Sequence, residues 1–244
     1  TSSSRAALMV GTSGALRWVR CEGVPSPPWG LWAYLIDSNR YLYGGALSNG
    51  GNLAAWLRDT LRIPWGPELD AELGALEPDG HGLTVLPFLA GERNPGWHGS
   101  ARGTITGLSL HTTPAEIARA CLEAVAYRFA AIHELLEGAG AHVDELVATG
   151  GGLLASPAWM RILADVLGCP LTPSEEPEAS SRGAALMALE ALGILPSLDA
   201  ATPRLGPPIT PDPSHRDAYL NGRSRHEEWY GKVVGSSGRR VVGS

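Results

Sequence analysis

The chain has 244 residues, 19 basic and 25 acidic, for a formal net charge of −6, and 44% of them are hydrophobic. A mildly acidic chain with no Lys/Arg-rich stripe to replace phosphate counterions argues against a nucleic-acid partner. No apolar run approaches the ~20 residues needed to span a bilayer, so a membrane role is not expected either.

In chain order, "TSSSRAALMVGTSG" lacks an initiator Met and enters a strand almost at once, which reads as a piece of something longer. Residues 6–10, 14–20 and 31–36 are short apolar or alternating runs separated by Gly and Pro, the pattern of a strand meander. "GGALSNGGNLAAWLRDTLRI" then turns helical, with Leu53, Trp56, Leu57 and Leu61 at helical spacing, and predicts a helix over 52–62. Residues 83–88 read as a strand and 89–103 as a polar Gly/Pro-rich loop. The best-marked helix is 114–137: Thr113 is the N-cap, Pro114 takes the first position, Glu116 completes a capping box and Gly138 ends it. Its expected buried stripe is Ile117, Cys121, Ala124, Val125, Ile132 and Leu135. A strand at 144–149 runs into three glycines. A helix from Pro157 to Leu167 follows, stopped by Gly168; "CPLT" reads as a short strand, and 179–193 as an Ala-rich helix ended by Gly193. Beyond the proline-rich 203–214 come a short amphipathic stretch and a Gly/Ser/Arg tail. Strands first, then strands alternating with helices, predict an α/β fold.

Three cysteines, Cys21, Cys121 and Cys169, stand far apart without CxxC or metal spacing. With no signal peptide visible, a reducing cytoplasm is the expected location. The basic residues Arg223, Arg225, Lys232, Arg239 and Arg240 read as a solvated surface.

Three glycine-rich turns carry the chemistry. "VATGGGLLASPAWM" ends a strand in bare backbone before a helix, the arrangement of a phosphate or nucleotide cradle. There the helix dipole adds about 0.3–1 kcal/mol toward an anion, with Ser156 as cap. "VGTSGAL" puts Gly11, Thr12, Ser13 and Gly14 at a hairpin tip, offering hydroxyls and N–H groups to polyphosphate oxygens, and "NGG" (49–51) opens the 52–62 helix. Taken singly, each turn reads equally well as tight packing with no ligand; three together favour the ligand. Among charged residues, Glu123 and His133 read as surface or capping residues. Glu92 and Arg93 read as a loop ion pair or a contact to a further domain, and Asp59 and Asp165 as structural.

At these motifs the sequence resembles the C-terminal domain of the FGGY carbohydrate kinases, of the actin/hexokinase/Hsp70 superfamily, over about residues 6–232. "GTITGLSLHTTPAEIARACLEA" (103–124) is similar to that family's second signature, with Gly103, Ile105, Gly107, Leu108, Glu116, Ile117, Ala120, Leu122 and Glu123 in place and Cys121 a mild departure. "GGALSNGGNLAAWLRD", "GERNPGWHGSARG" and "GGGLLASPAWMRILADVLG" follow the family's order and spacing. "VGTSGALR", "ERNPGW" and "LEAVAYR" are most similar to the gluconokinase branch, with xylulose kinases second.

The resemblance implies an α/β, ribonuclease-H-like or actin-like ATPase domain over 1–232, a mixed sheet flanked by helices, with a flexible tail at 233–244. It implies ATP and Mg²⁺ as cofactors, and phosphoryl transfer to a hydroxyl of a sugar or sugar acid, gluconate-like first and xylulose second. Thr12 should lie at the β/γ-phosphates, Gly51 and Gly152 should approach the adenosine moiety, and Ser156 should reach the base or ribose. Gly11 and Gly151 complete the nucleotide-binding set. Glycerol kinases carry Gln where Ala55 stands, which puts one polar nucleotide contact in doubt. No catalytic residue is expected in this chain, because the family's catalytic Asp, its first phosphate loop and nearly all sugar contacts belong to an N-terminal domain. Its expected partners are that lobe, the small-molecule acceptor and a second copy in a possible homodimer. The isolated chain should fold, stay inactive and expose an apolar patch where the N-terminal lobe docks. The reading from another class is a non-catalytic ATP-binding or regulatory module of the actin-like superfamily, to be separated by the sequence upstream of Thr1. A Rossmann dehydrogenase fails because 150–152 lacks GxGxxG and no acidic residue ends a following strand.

Overall fold

A computed structural model of the chain describes residues 4–21 and 26–235. Six strands form the main sheet, in the order β3-β4-β2-β1-β7-β8. They are β1 (Arg5–Val10), β2 (Gly14–Arg20), β3 (Trp32–Leu35), β4 (Tyr41–Leu47), β7 (Glu145–Thr149) and β8 (Leu171–Pro173). β1 through β4 are joined antiparallel and β1, β7 and β8 parallel, so the sheet is mixed. β5 (Thr84–Leu86) and β6 (Thr104–Thr106) pair in a separate two-stranded sheet.

The helices are α1 (Gly51–Asp59), α2 (Pro67–Ala75), α3 (Pro114–Gly138), α4 (Gly151–Leu154), α5 (Pro157–Leu167), α6 (Ala179–Ala191) and α7 (Arg216–Val233). α3 begins as its sequence predicts: the Thr113 hydroxyl accepts from the Glu116 N–H and the Glu116 carboxylate from the Thr113 N–H. It then runs through the middle of the molecule, touching β2, β4, β5, α1, α2, α5 and α7. Burial is therefore not a stripe; every residue from Ala118 to Ala130 is buried, charged ones included. Alternation in β1 places Ala6, Leu8 and Val10 in the same core. α5 packs its Trp159, Ile162 and Leu163 beside them and ends at Gly168 in the left-handed region.

Several elements differ from the sequence reading. β4 stands where "GGAL" was read as the approach to a helix, because its two glycines answer to close packing from both sides. A Cβ on Gly44 would press on the Trp32 ring, and one on Gly45 would press on Ile132 of α3. β6 lies within the second signature between Gly103 and Gly107 and was not foreseen, and nor was α2. The short amphipathic stretch is an 18-residue helix, α7. α6 forms, but none of its residues is buried. Most of the tail expected at 233–244 lies outside the described residues. Among the described residues, no helix is long and apolar enough to cross a membrane.

Candidate functional site

β1 and β7 run parallel and finish side by side, with Met9 opposite Thr149, so the turns leaving them emerge at one end of the sheet. β1 passes into β2 through Gly11–Ser13, where the Gly11 N–H donates to the Ser13 carbonyl at 2.9 Å. The start of α1 docks on that turn: the Gly51 N–H donates to the Gly11 carbonyl (2.8 Å) and the Asn52 N–H to the Thr12 carbonyl (3.0 Å). A Cβ on Gly51 would stand 2.5 Å from the Gly11 oxygen, so only glycine allows this approach. Gly150 leaves β7 at φ +101 with its Cβ position 2.2 Å from the Val10 oxygen, which again only glycine tolerates. These two contacts draw the three turns into one cradle.

Gly151 and Gly152 are different. A Cβ on Gly151 would meet nothing within 4 Å and one on Gly152 only the Val10 oxygen at 4.0 Å, and both residues are exposed. Among the described residues, their glycine character answers to no neighbour within the chain. Their N–H groups open α4 and so precede any carbonyl four residues back that could accept from them. The Thr12 side chain is also exposed at the hairpin tip.

The structure thus places Gly11, Thr12, Gly51, Gly151 and Gly152 around the ends of β1 and β7. Ser156, expected to reach the base or ribose, is 3% exposed, with its hydroxyl engaged inside the chain. Its Oγ accepts from the Trp159 N–H at 3.1 Å as the cap of α5 and donates to Asp70 of α2, whose other oxygen accepts from the Ala158 N–H at 3.3 Å. Two details differ from the sequence reading. The glycines open a separate four-residue helix rather than α5, and the first N–H groups of α1 are already bonded to hairpin carbonyls.

Two buried asparagines build the rim. Asn49 Nδ2 donates to the Gly91 carbonyl (2.8 Å) and its Oδ1 accepts from the Ala90 N–H (2.9 Å), tying loop 89–99 to the residue before Gly50. Asn94 brackets Ala46 of β4, its N–H donating to the Ala46 carbonyl (3.0 Å) and its Oδ1 accepting from the Ala46 N–H (2.8 Å). Sequence reading takes Asn49 only as the start of the "NGG" turn and passes over Asn94, since Asn in a Gly-rich turn is expected for its backbone alone.

Other charged residues lie deeper than the sequence suggests. Glu92 does not pair with Arg93: it is buried, accepting from Arg128 Nη2 of α3 (2.5 Å) and the Tyr230 hydroxyl of α7 (2.7 Å). Burial, and then that bond to Glu92, push the Tyr230 phenol upward. Arg93 is exposed. Glu123 and His133 are interior rather than surface residues. Glu123 accepts from Arg119 Nε (2.8 Å) and meets His81 Nε2 at 3.0 Å. Burial holds the His133 imidazole below its ordinary value, and its Nε2 has no hydrogen-bond partner among the described residues. Arg223 and Arg225 are half-buried and paired, with Glu134 and Asp79.

Among the described residues, Asp79, His81 and Glu123 could together chelate a cation. They are instead matched internally. His81 Nδ1 accepts from the Leu83 N–H, which leaves Nε2 to donate to Glu123, while Arg119 and Arg225 neutralise the two carboxylates. Burial pushes the Cys121 and Cys169 thiols up to about 12 and about 11, so neither is a nucleophile.

A mixed sheet flanked by helices, with glycine-rich turns gathered at the ends of two parallel strands, defines an actin-like, ribonuclease-H-like ATPase domain. Residues 6–192 match the C-terminal domain of the FGGY family of carbohydrate kinases, and the chain belongs to that family. It is 30% identical over 215 residues to a gluconokinase of Bacillus subtilis (strain 168), which covers 82% of this chain and 41% of that protein. It is 39% identical over 169 residues to a glycerol kinase of Acidovorax sp. (strain JS42), covering 67% of the chain and 34% of that protein. Among solved structures it superposes on the gluconate kinase from Lactobacillus acidophilus with a TM-score of 0.86 at 28% identity, covering 98% of this chain and 49% of that one. The xylulose kinase from Rhodospirillum rubrum gives 0.82 at 32% identity, with 98% and 49% covered. The chain spans less than half the length of these relatives.

Proposed function

We propose that this chain is the ATP-binding lobe of a cytoplasmic carbohydrate kinase that transfers the γ-phosphate of ATP to a hydroxyl of a sugar or sugar acid, gluconate-like first and xylulose second. The observation that carries the reading is the convergence of three glycine-rich turns in which Gly51 and Gly150 serve the fold while Gly151 and Gly152 face open space. In this reading the bare backbone of Gly151 and Gly152 lets the flat adenosine moiety approach, Gly11 and Thr12 receive the β/γ-phosphates, and Gly51 clasps the hairpin in place. Ser156 acts by fixing α5 against α2. Mg²⁺, arriving with the phosphates, supplies neutralisation of the charge that develops on their oxygens. Phosphoryl transfer also needs a carboxylate to take the acceptor proton. Asp59 is exposed against Arg58 at 2.7 Å, and Asp165 is buried against His215 at 2.8 Å. Neither faces the cradle, which supports placing the base, and most acceptor contacts, on an N-terminal lobe.

The test is a coupled assay on the intact kinase with gluconate, xylulose and glycerol, together with ATP titration of a Gly152→Val variant. Turnover of one of these acceptors, and a tenfold or greater loss of ATP affinity in the variant, are the expected results. ATP affinity unchanged by the valine would overturn the placement of the nucleotide, and absence of turnover with every acceptor would overturn the kinase reading.

A further inference from the structure

Arg17 sits on the face of the main sheet that α3 does not cover. Its neighbours Leu16 and Trp18 are buried in the core, while the residue directly across from it on β4 is Gly44. On that face Gly44 is overlain by the Trp32 indole, and the next pair toward the hairpin is Ala15 with Ala46. On the other side, β1 places Ala7 directly across from Arg17, so the positions opposite it on both neighbouring strands carry no more than a methyl group. Arg93 is delivered to the same region from loop 89–99, because Asn94, the next residue, is bolted to Ala46 through both its N–H and its Oδ1. Among the described residues neither guanidinium makes an ion pair or a side-chain hydrogen bond. Several other arginines of the chain, such as Arg5, Arg40, Arg119, Arg128, Arg223 and Arg225, are matched to carboxylates.

We infer that Arg17 and Arg93 form an anion-binding pair that receives the carboxylate of a sugar acid, and that they decide between acidic and neutral acceptors. The inference rests on the kinase reading above and adds to it the residues that set the substrate class. Two protonated guanidiniums near enough for each to feel the other's charge, with no counter-ion among the described residues, repel one another, and a carboxylate placed between them turns that repulsion into charge-assisted hydrogen bonds. Burial and then the charge of Arg93 hold the Arg17 guanidinium below its usual range, in keeping with half-burial beside another cation. Position separates a carboxylate from a nucleotide phosphate. Arg17 is three residues along β2 from Gly14, about 10 Å at the rise of a strand. Phosphates held at the Gly11–Ser13 tip therefore leave this place to the molecule beyond them, the acceptor. The Trp32 ring beside it supplies an apolar wall for the carbon skeleton.

The experiment is steady-state kinetics on the intact kinase with gluconate as acidic acceptor, xylulose and glycerol as neutral ones, and ATP varied separately. Arg17→Met and Arg93→Met should each raise KM for gluconate about ten- to a hundredfold, the range for a hydrogen bond to a charged group. KM for the neutral acceptors and for ATP should stay within about twofold, and Arg17→Lys should retain part of the loss-free behaviour. Arg93 is exposed, so its variant carries the test even where Arg17→Met lowers the thermal midpoint. Equal losses with acidic and neutral acceptors, a parallel rise in KM for ATP, or an unchanged KM for gluconate would each overturn the pair while leaving the kinase reading standing. A wild type that phosphorylates only neutral acceptors overturns the pair in the same way. A wild type inactive on every acceptor removes both.

Discussion

Four glycines within one site have different physical reasons, and substitution separates them. Gly150 combines φ +101 with a Cβ position 2.2 Å from the Val10 oxygen. Gly150→Ala should therefore lower stability by about 2–4 kcal/mol, combining backbone strain with a forced shift of β1. Gly151 has open space where its Cβ would be, so Gly151→Ala should leave stability unchanged or improve it slightly, as alanine does in a short helix. Urea denaturation of the two variants checks this, and equal losses would show that the cradle is not divided as described. Gly51 belongs with Gly150, held against the Gly11 oxygen, while Gly152 belongs with Gly151. The glycine-rich turns were legible in the sequence as a candidate site; which of them the fold itself needs was not, since that depends on which carbonyl stands opposite. Arg93 stood out in the sequence as an ion-pair or domain-contact residue and Arg17 only within "VGTSGALR"; that they serve one region was not legible, because they are 76 positions apart and Arg93 is placed by the Asn94–Ala46 contact.

At the scale of elements, α3 carries the most interior charge, and its packing dictates the consequences. Arg119 donates to Glu123, to the Leu73 carbonyl of α2 and to the Tyr219 hydroxyl of α7, so one guanidinium joins three helices. Glu123→Ala would leave that cation buried without its carboxylate and should cost about 3–5 kcal/mol, read by chemical denaturation. α7 supplies a pH dependence. Its His226 is 1% exposed, Nδ1 donates to the Val85 carbonyl of β5 at 2.9 Å, and Nε2 has no partner among the described residues. Burial, with Arg128 adding to it, holds this imidazole down at about 3. The unfolded chain takes up that proton near the ordinary value of about 6.5, so its contribution to stability is complete above that pH and is lost as the pH falls toward 3. At pH 5 the loss relative to pH 8 should be about 2 kcal/mol from this residue. His226→Gln should remove that part of the acid sensitivity, and an unchanged slope between pH 7 and 5 in the variant would refute the assignment. These elements also show how far the sequence could be read. α3 was legible from its capping box and long apolar run, although its cap is Ala139 rather than a glycine, and α5 from its Ser156 cap, apolar run and left-handed stop at Gly168. β4 and β6 were not, because glycines that serve packing within or beside a strand resemble turn glycines. α7 was hidden by its polarity, since its buried residues are mainly Tyr219, Gly222 and His226 rather than an aliphatic stripe.

Taken as a whole, the molecule leaves apolar surface that its own elements do not cover. α6 has no buried residue, and Leu189, Leu192 and Ile194 at and beyond its end are exposed. β3 closes the sheet as a free edge with Tyr34 and Leu35 exposed, and Trp29, at 79% exposure, stands just before it. Trp97 projects from the loop that carries Arg93. Surfaces of this kind either meet another part of a protein or associate with copies of themselves. The relatives matched are more than twice as long as the region they share with this chain, which supports an N-terminal lobe as the natural cover. Two outcomes are expected for purified 1–244. Sedimentation velocity should show concentration-dependent self-association, which ends when Leu189, Leu192 and Ile194 are replaced by polar residues. The same preparation should transfer no phosphate to gluconate or xylulose. A general base alone contributes about 10²–10⁴-fold, and the rest of this chemistry is positioning between two walls of a cleft, so one wall should keep essentially none of the rate. ATP should still bind, but weakly, each ~1.4 kcal/mol of missing contact lowering affinity tenfold. Phosphorylation of either acceptor by 1–244 alone would place a working base inside this chain, and Asp59 and Asp165 would then have to be reconsidered as candidates for it.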